Sequence, residues 1–228
     1  MANTMNLAKA VATVSGLTLI SRILGFLRDL IIARIFGASI STDAFFVAFR
    51  IPNLLRRRFA EGAFSQAFVP VLSHYRVERG DEQTRNLIDK VATLLAACLL
   101  LVSVLGVVAA PLIVYVSAPG FSADSGKFEL TVALLQITFP YIFFIALVSL
   151  AGGILNTWGR FAVPALTPSL LNLSFIVMAL FAAPYFDPPV MVLAWAVFIG
   201  GVLQLVFQLP ALARLGVLPR WRFDWRDE

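Results

Sequence analysis

The sequence predicts an all-α membrane protein of about six transmembrane helices, and three observations predict it. The chain is 60% apolar and only 14% charged, whereas soluble domains run at roughly half and a quarter. Several apolar stretches reach the roughly 20 residues that a helix needs to cross a hydrocarbon core. These stretches are too long and too little alternating for barrel strands, and a spanning segment must satisfy its own backbone, so helices are the default.

The first span runs from Leu7 to Phe36, where Gly37 and Ser39 end it, and the second from Thr42 to Leu72, with Ser41 or Thr42 as its cap. The segment from Arg76 to Arg85 is the most hydrophilic of the chain and must leave the membrane. The third span runs from Asn86 to Ser117, before the breakers Pro119 and Gly120, and the fourth from Phe128 to Leu155. The fifth runs from Ala162 to Ala183, the sixth from Pro189 to Leu212, and the prolines from Pro184 to Pro189 make the tight connection between them. No cleavable leader is expected, because Arg22, Arg28 and Asp29 interrupt the first apolar run.

The loop charges orient the chain. One set of loops and helix ends holds Lys9, then Arg76, Arg79, Arg85 and Lys90, then Arg160, then Arg214, Arg220, Arg222 and Arg226; the other holds essentially Lys127 alone. The bias of Lys and Arg toward the cytoplasm places the first set, and both termini, there. The net charge of +5 is distributed along these loops and within spans, which argues against nucleic acid as a partner. The lone Cys98 and the lone His74 exclude an internal disulfide and make a zinc site untenable. No phosphate-binding glycine motif, nucleophile elbow or metal-ligand pair occurs, so neither an enzyme nor a cofactor is expected. Trp158, Trp195, Trp221 and Trp225 read as interfacial anchors or packing.

The unusual charges lie in the first two spans: Arg22, Arg28, Asp29 and Arg34 in one, and Asp43, Arg50, Arg56, Arg57, Arg58 and Glu61 in the other. A charge at mid-bilayer costs at least ~2.5–3.5 kcal/mol, so such groups face a wet cavity or one another. At about 1.5 Å per residue, Arg22 falls near the middle of the first span and Arg57 near the middle of the second. Arg28 and Asp29 then lie at the level of Arg50. Ser15, Thr18, Arg22, Gly25 and Asp29 share one helical stripe, as do Asp43, Arg50, Asn53, Arg57 and Glu61. Pro52 can rotate the second stripe, so periodicity leaves Arg56 and Arg57 as alternatives. Arginine stays charged and offers a planar fork matched to phosphate, so an excess of arginines around a cavity suits a polyanion such as a pyrophosphate. The competing reading is a set of internal ion pairs and packing locks, with Arg34 snorkelling at its span's end.

The block from Gly25 to Pro70, GFLRDLIIARIFGASISTDAFFVAFRIPNLLRRRFAEGAFSQAFVP, resembles the hallmark of the MurJ/MviN family. The segments Asn156–Asn172 and Ala179–Val190 are similar to that family as well. The resemblance implies one helical lobe of a two-lobed exporter-superfamily fold around a cationic cavity, in a bacterial inner membrane. It implies translocation of lipid II, an undecaprenyl-pyrophosphate-linked peptidoglycan precursor, with lipid II and membrane lipids as partners. Carried over from the family, the essential cavity arginines fall on Arg22, Arg28 and Arg56, a functionally important acid on Asp43, and cavity neighbours on Asp29 and Asn53. Arg58 departs from the family pattern where an apolar residue is usual, and Gly159 where Asn is common. The chain stops near Glu228, where a second lobe is expected to begin, so it reads as a fragment, a split gene product or a lobe that needs a C-terminal partner or self-association. The alternatives are a polysaccharide-lipid or multidrug exporter of the same superfamily, and a scaffold that keeps the fold without transport.

Overall fold

The computed structural model describes residues 2–61, 63–121 and 124–220, with side chains described for 11–55, 57, 67–121, 124 and 126–220. Among these residues every regular element is helical. They are α1 (Ala2–Phe36), α2 (Ile40–Glu61), α3 (Ala63–Val108), α4 (Ala110–Ser117), α5 (Ser125–Thr138), α6 (Tyr141–Thr157), α7 (Ala162–Val177) and α8 (Met191–Arg214). A π turn at Met178–Ala182 continues α7. Four stretches among the described residues are long and apolar enough to cross a membrane: Ala67–Val108, Gly126–Thr157, Ala162–Tyr185 and Met191–Arg214.

The breakers act where residue chemistry requires. Ser39, outside the expected pair Ser41 and Thr42, caps α2: its Oγ accepts the Thr42 N–H at 3.2 Å. The helix starts at Ile40, two residues before the expected edge, so Ser39 stands at the capping position. Pro140 divides the fourth expected span into α5 and α6, and Ala109 with Pro111 divides the third into α3 and α4.

The hydrophilic segment from Arg76 to Arg85 is a corner between two helical runs rather than an extended loop. Gly80 makes the turn with φ 78° and ψ 177°, a region open essentially to glycine alone. Thr84 Oγ1 donates to the Gly80 carbonyl at 2.7 Å, and Arg76 Nε donates to Asp81 Oδ1 at 3.0 Å across the corner. The Arg76 guanidinium also lies 4.4 Å from the centroid of the Trp158 ring.

One core cluster is built mainly from α2, α5, α6, α7 and α8, and a second, around Leu72, Ile88, Ile154 and Leu212, from α3, α6 and α8. Phe45 stacks on Phe49 at 5.6 Å, and both meet Phe175 edge-on at 6.1 Å. Helices α7 and α8 approach closely at Gly200, where a Cβ would come 2.6 Å from Leu171 Cδ1 and 3.3 Å from Leu171 Cα. Small residues at such crossings let backbones meet without a side chain between them. The outer faces stay apolar: Leu94, Leu101, Leu105 and Val108 of α3 are exposed, as a lipid-facing surface requires. Helix α1 is the outlier. It packs mainly on α7, and most of its described side chains are exposed.

Candidate functional site

A cavity of about 400 Å³ opens between α1, α2, α6, α7 and α8. Arg28, Asn53, Ser149, Asn156, Thr167 and Gln208 are polar side chains that line it. A second cleft of about 350 Å³, between α3, α6 and α8, is lined mostly by apolar groups such as Ala96, Leu150 and Leu212 and contains none of the candidate residues.

Arg28 is held from three directions. Its Nε and Nη2 donate to Asp29 Oδ1 at 2.9 and 2.7 Å, and its Nη1 donates to Asn172 Oδ1 at 3.0 Å. Its guanidinium carbon sits 5.6 Å from the centroid of the Phe175 ring, close enough for attraction to the ring face. A guanidinium carries five N–H donors; three are engaged here, which leaves two without a partner among the described residues. The Asp29 carboxylate neutralises Arg28 locally, but its side chain is 67% exposed. It can therefore hold the fork in place while remaining open to exchange with a solvated anion.

Asn172 connects this arginine to the scaffold. It sits on α7, 8% exposed, and its Nδ2 donates to the Ser21 carbonyl of α1 at 3.0 Å. One amide thus fixes both the α1 backbone and the Arg28 fork. Gly25 lies against this amide at ordinary contact distance: a Cβ there would be 3.5 Å from Asn172 Nδ2.

The structure places the remaining candidates as follows. Ser21, Gly25, Arg28 and Ile32, at spacings of four and three, form the inward face of α1. This face shares only Gly25 with the expected stripe, so Arg22 and Asp29 fall to its sides and are exposed. Asn53 lines the cavity opposite α7. Asp43 is exposed in the first turn of α2, where its negative charge suits the helix N-terminus. Arg50 and Arg57 are exposed. The side chains of Arg56, Arg58 and Glu61 lie outside the described residues, as do those of Lys9, Trp221, Trp225, Arg222 and Arg226. His74 lies 3.2 Å from Glu78 at i,i+4 on an exposed face, which accounts for it as a helix-surface pair.

Three contributors escaped the sequence reading: Asn172, Gln204 and Gln208. The signal was present in each case. An amide inside an apolar span is costly unless it finds partners, and two glutamines four residues apart share one helix face. Both are buried, 3% and 1% exposed, against α7.

The comparisons with known proteins agree with this architecture. A family model described as lipid II flippase MurJ matches residues 32–228. The chain is 52% identical over 215 residues to the lipid II flippase MurJ of Burkholderia cenocepacia, covering 94% of this chain and 42% of that protein. It is 47% identical over 223 residues to a probable lipid II flippase MurJ of Buchnera aphidicola, covering 98% of this chain and 44% of that one. A solved structure of a lipid II flippase MurJ in an inward closed conformation superposes with a TM-score of 0.76 at 31% identity, covering 92% of this chain and 43% of its own. The chain thus spans less than half the length of the relatives it matches, and these relatives are named as flippases rather than enzymes. The match of the family model over most of the chain, together with the shared helical fold, shows that the chain belongs to the lipid II flippase MurJ family.

Proposed function

We propose that this chain supplies the N-terminal lobe of a lipid II flippase of a bacterial inner membrane, with both termini in the cytoplasm. In this reading the arginine-bearing face of α1 and α2 forms one wall of a cavity for the pyrophosphate, and a further lobe closes it and rocks against it in alternating access. The observation that carries the reading is Arg28: a guanidinium held at the rim of a polar cavity, with two donors of its fork uncommitted among the described residues. Because Asp29 balances the charge of Arg28, the net attraction for an anion comes from the neighbours, and Arg22 and Arg56 are the proposed ones. Arg57 is the proposed alternative to Arg56 on the same helix. Asp43 is assigned the family's acidic role near the cavity, and Asn53 the orientation of the head group across from Arg28.

The test is lipid II binding to the full protein that carries this sequence, in nanodiscs. Arg22→Ala, Arg28→Ala and Arg56→Ala should each weaken binding, by about 10-fold for the loss of one charge-assisted contact. Arg28→Lys should recover only part of the loss, because it keeps charge without the fork. Unchanged affinity in all three alanine variants would refute the pyrophosphate assignment.

A further inference from the structure

The cavity also has a part, built from neutral groups, that the arginine assignment leaves unused. Gln204 and Gln208 of α8 are both buried there against Thr167 of α7. Gln204 Nε2 donates to the Thr167 carbonyl at 3.2 Å, and Tyr141 Oη donates to Gln204 Oε1 at 3.2 Å. Gln208 Nε2 donates to Thr167 Oγ1 at 3.0 Å. The Thr167 hydroxyl is itself committed as a donor to the Val163 carbonyl at 2.8 Å, so its oxygen can only accept from Gln208. This fixes the Gln208 amide with its NH₂ on Thr167 and leaves Oε1 as an acceptor at the cavity wall. Gln208 is 1% exposed, and its Oε1 is buried without a donor among the described residues. A buried acceptor without a donor costs ~1–3 kcal/mol.

The chemistry of the occupant follows from the lining. Among the described lining residues Arg28 is the one charged side chain, and none is a carboxylate. Arg28 is already balanced by Asp29 at 2.7 Å, so the described lining offers a cation no spare negative charge, and a single amide oxygen suits a neutral O–H or N–H donor. Gly152 borders it at ordinary contact distance: a Cβ there would lie 4.0 Å from Gln208 Oε1 and 3.6 Å from Pro164 Cβ. The two parts of the cavity are close. Asn172, which holds Arg28, and Thr167, which holds Gln208, are five residues apart on α7, about 7.5 Å of helical rise. A group bonded directly to a phosphate at Arg28 can therefore reach Gln208.

We infer that the part of the cavity around Gln208 is a subsite for the hydroxyl or amide donors of a sugar attached to the phosphate held at Arg28. The inference rests on the pyrophosphate reading above. Its test compares two ligands on the full protein that carries this sequence, in nanodiscs: lipid II, and undecaprenyl pyrophosphate, which lacks the sugars. Gln208→Met removes the acceptor. Gly152→Ala leaves every hydrogen bond intact and adds a methyl group beside Oε1 at ordinary contact distance. Each should weaken lipid II binding about 5-fold, the worth of one neutral hydrogen bond, and leave undecaprenyl pyrophosphate within 2-fold of its original affinity. Equal weakening of both ligands would mean a structural role, and no change in either would mean that water satisfies Gln208; both results overturn the subsite. Arg28→Ala serves as the separate control. If it leaves both ligands unaffected while Gln208→Met remains selective for lipid II, the pyrophosphate reading fails and takes the anchor at Arg28 with it, and only the sugar contact at Gln208 is upheld.

Discussion

Replacing Asn172 by alanine should loosen α1 from α7 and release Arg28 from its set position. The wild-type amide makes one hydrogen bond to the α1 backbone and one to the Arg28 guanidinium, both at 3.0 Å and part-buried. In water-soluble proteins a neutral bond is worth about 0.5–1.5 kcal/mol net and a bond to a charged group about 1.5–3. Within membranes the average side-chain bond is nearer ~0.6 kcal/mol with a ceiling near ~1.7. The pair together should therefore cost about 1–3 kcal/mol. Arg28 retains Asp29, but that carboxylate is 67% exposed, and so little of the loss is recovered. Reversible unfolding in mixed micelles, run as a double-mutant cycle with Arg28→Ala, isolates the Asn172–Arg28 contribution. A coupling of about 1 kcal/mol is expected. Additivity within about 0.3–0.5 kcal/mol, the range for independent sites, would refute the claim that Asn172 positions Arg28. Asn172→Asp keeps an acceptor for Arg28 but loses the donor to Ser21 and sets a second carboxylate beside an arginine already balanced by Asp29, so lipid II affinity should fall further than in Asn172→Ala.

Two further outcomes follow from the backbone and the charge pattern. Gly80→Ala should lower stability by about 1–3 kcal/mol, because φ 78° with ψ 177° excludes a Cβ at any modest cost, and a melting temperature within error of wild type would show that the corner relaxes freely. For topology, single cysteines at Glu82 and Gly120, each in a Cys98→Ala background because Cys98 is exposed, should differ in labelling by an impermeant thiol reagent on intact cells. Gly120→Cys should label and Glu82→Cys should not; the opposite pattern would invert the proposed orientation.

Composition and hydropathy are sums over many residues, which is why the membrane class and the all-helical architecture were legible in the sequence. The block from Gly25 to Pro70 carried the family for a different reason, since a long run of residue identities is specific even when no contact is known. The stripe on α1 was less legible. A stripe drawn through Arg22, Gly25 and Asp29 and one drawn through Ser21, Gly25 and Arg28 differ by a small rotation of the helix. Only the packing of α1 on α7, fixed by Asn172 at the Ser21 carbonyl, chooses between them. Helix edges were also decided locally, by Ser39 as a cap and by Pro140 as a break. The partners of buried amides were beyond the sequence altogether. Gln208 meets Thr167 across 41 positions, and Asn172 meets Arg28 across 144. Such bonds depend on which helices become neighbours and at what rotation. The sequence by itself determined that the chain is a bundle of apolar helices with arginines concentrated on the first two. The tertiary structure alone decided which of the described arginines lines the cavity and which amides hold it, because a helix surface offers several polar faces and only packing selects the one that is buried.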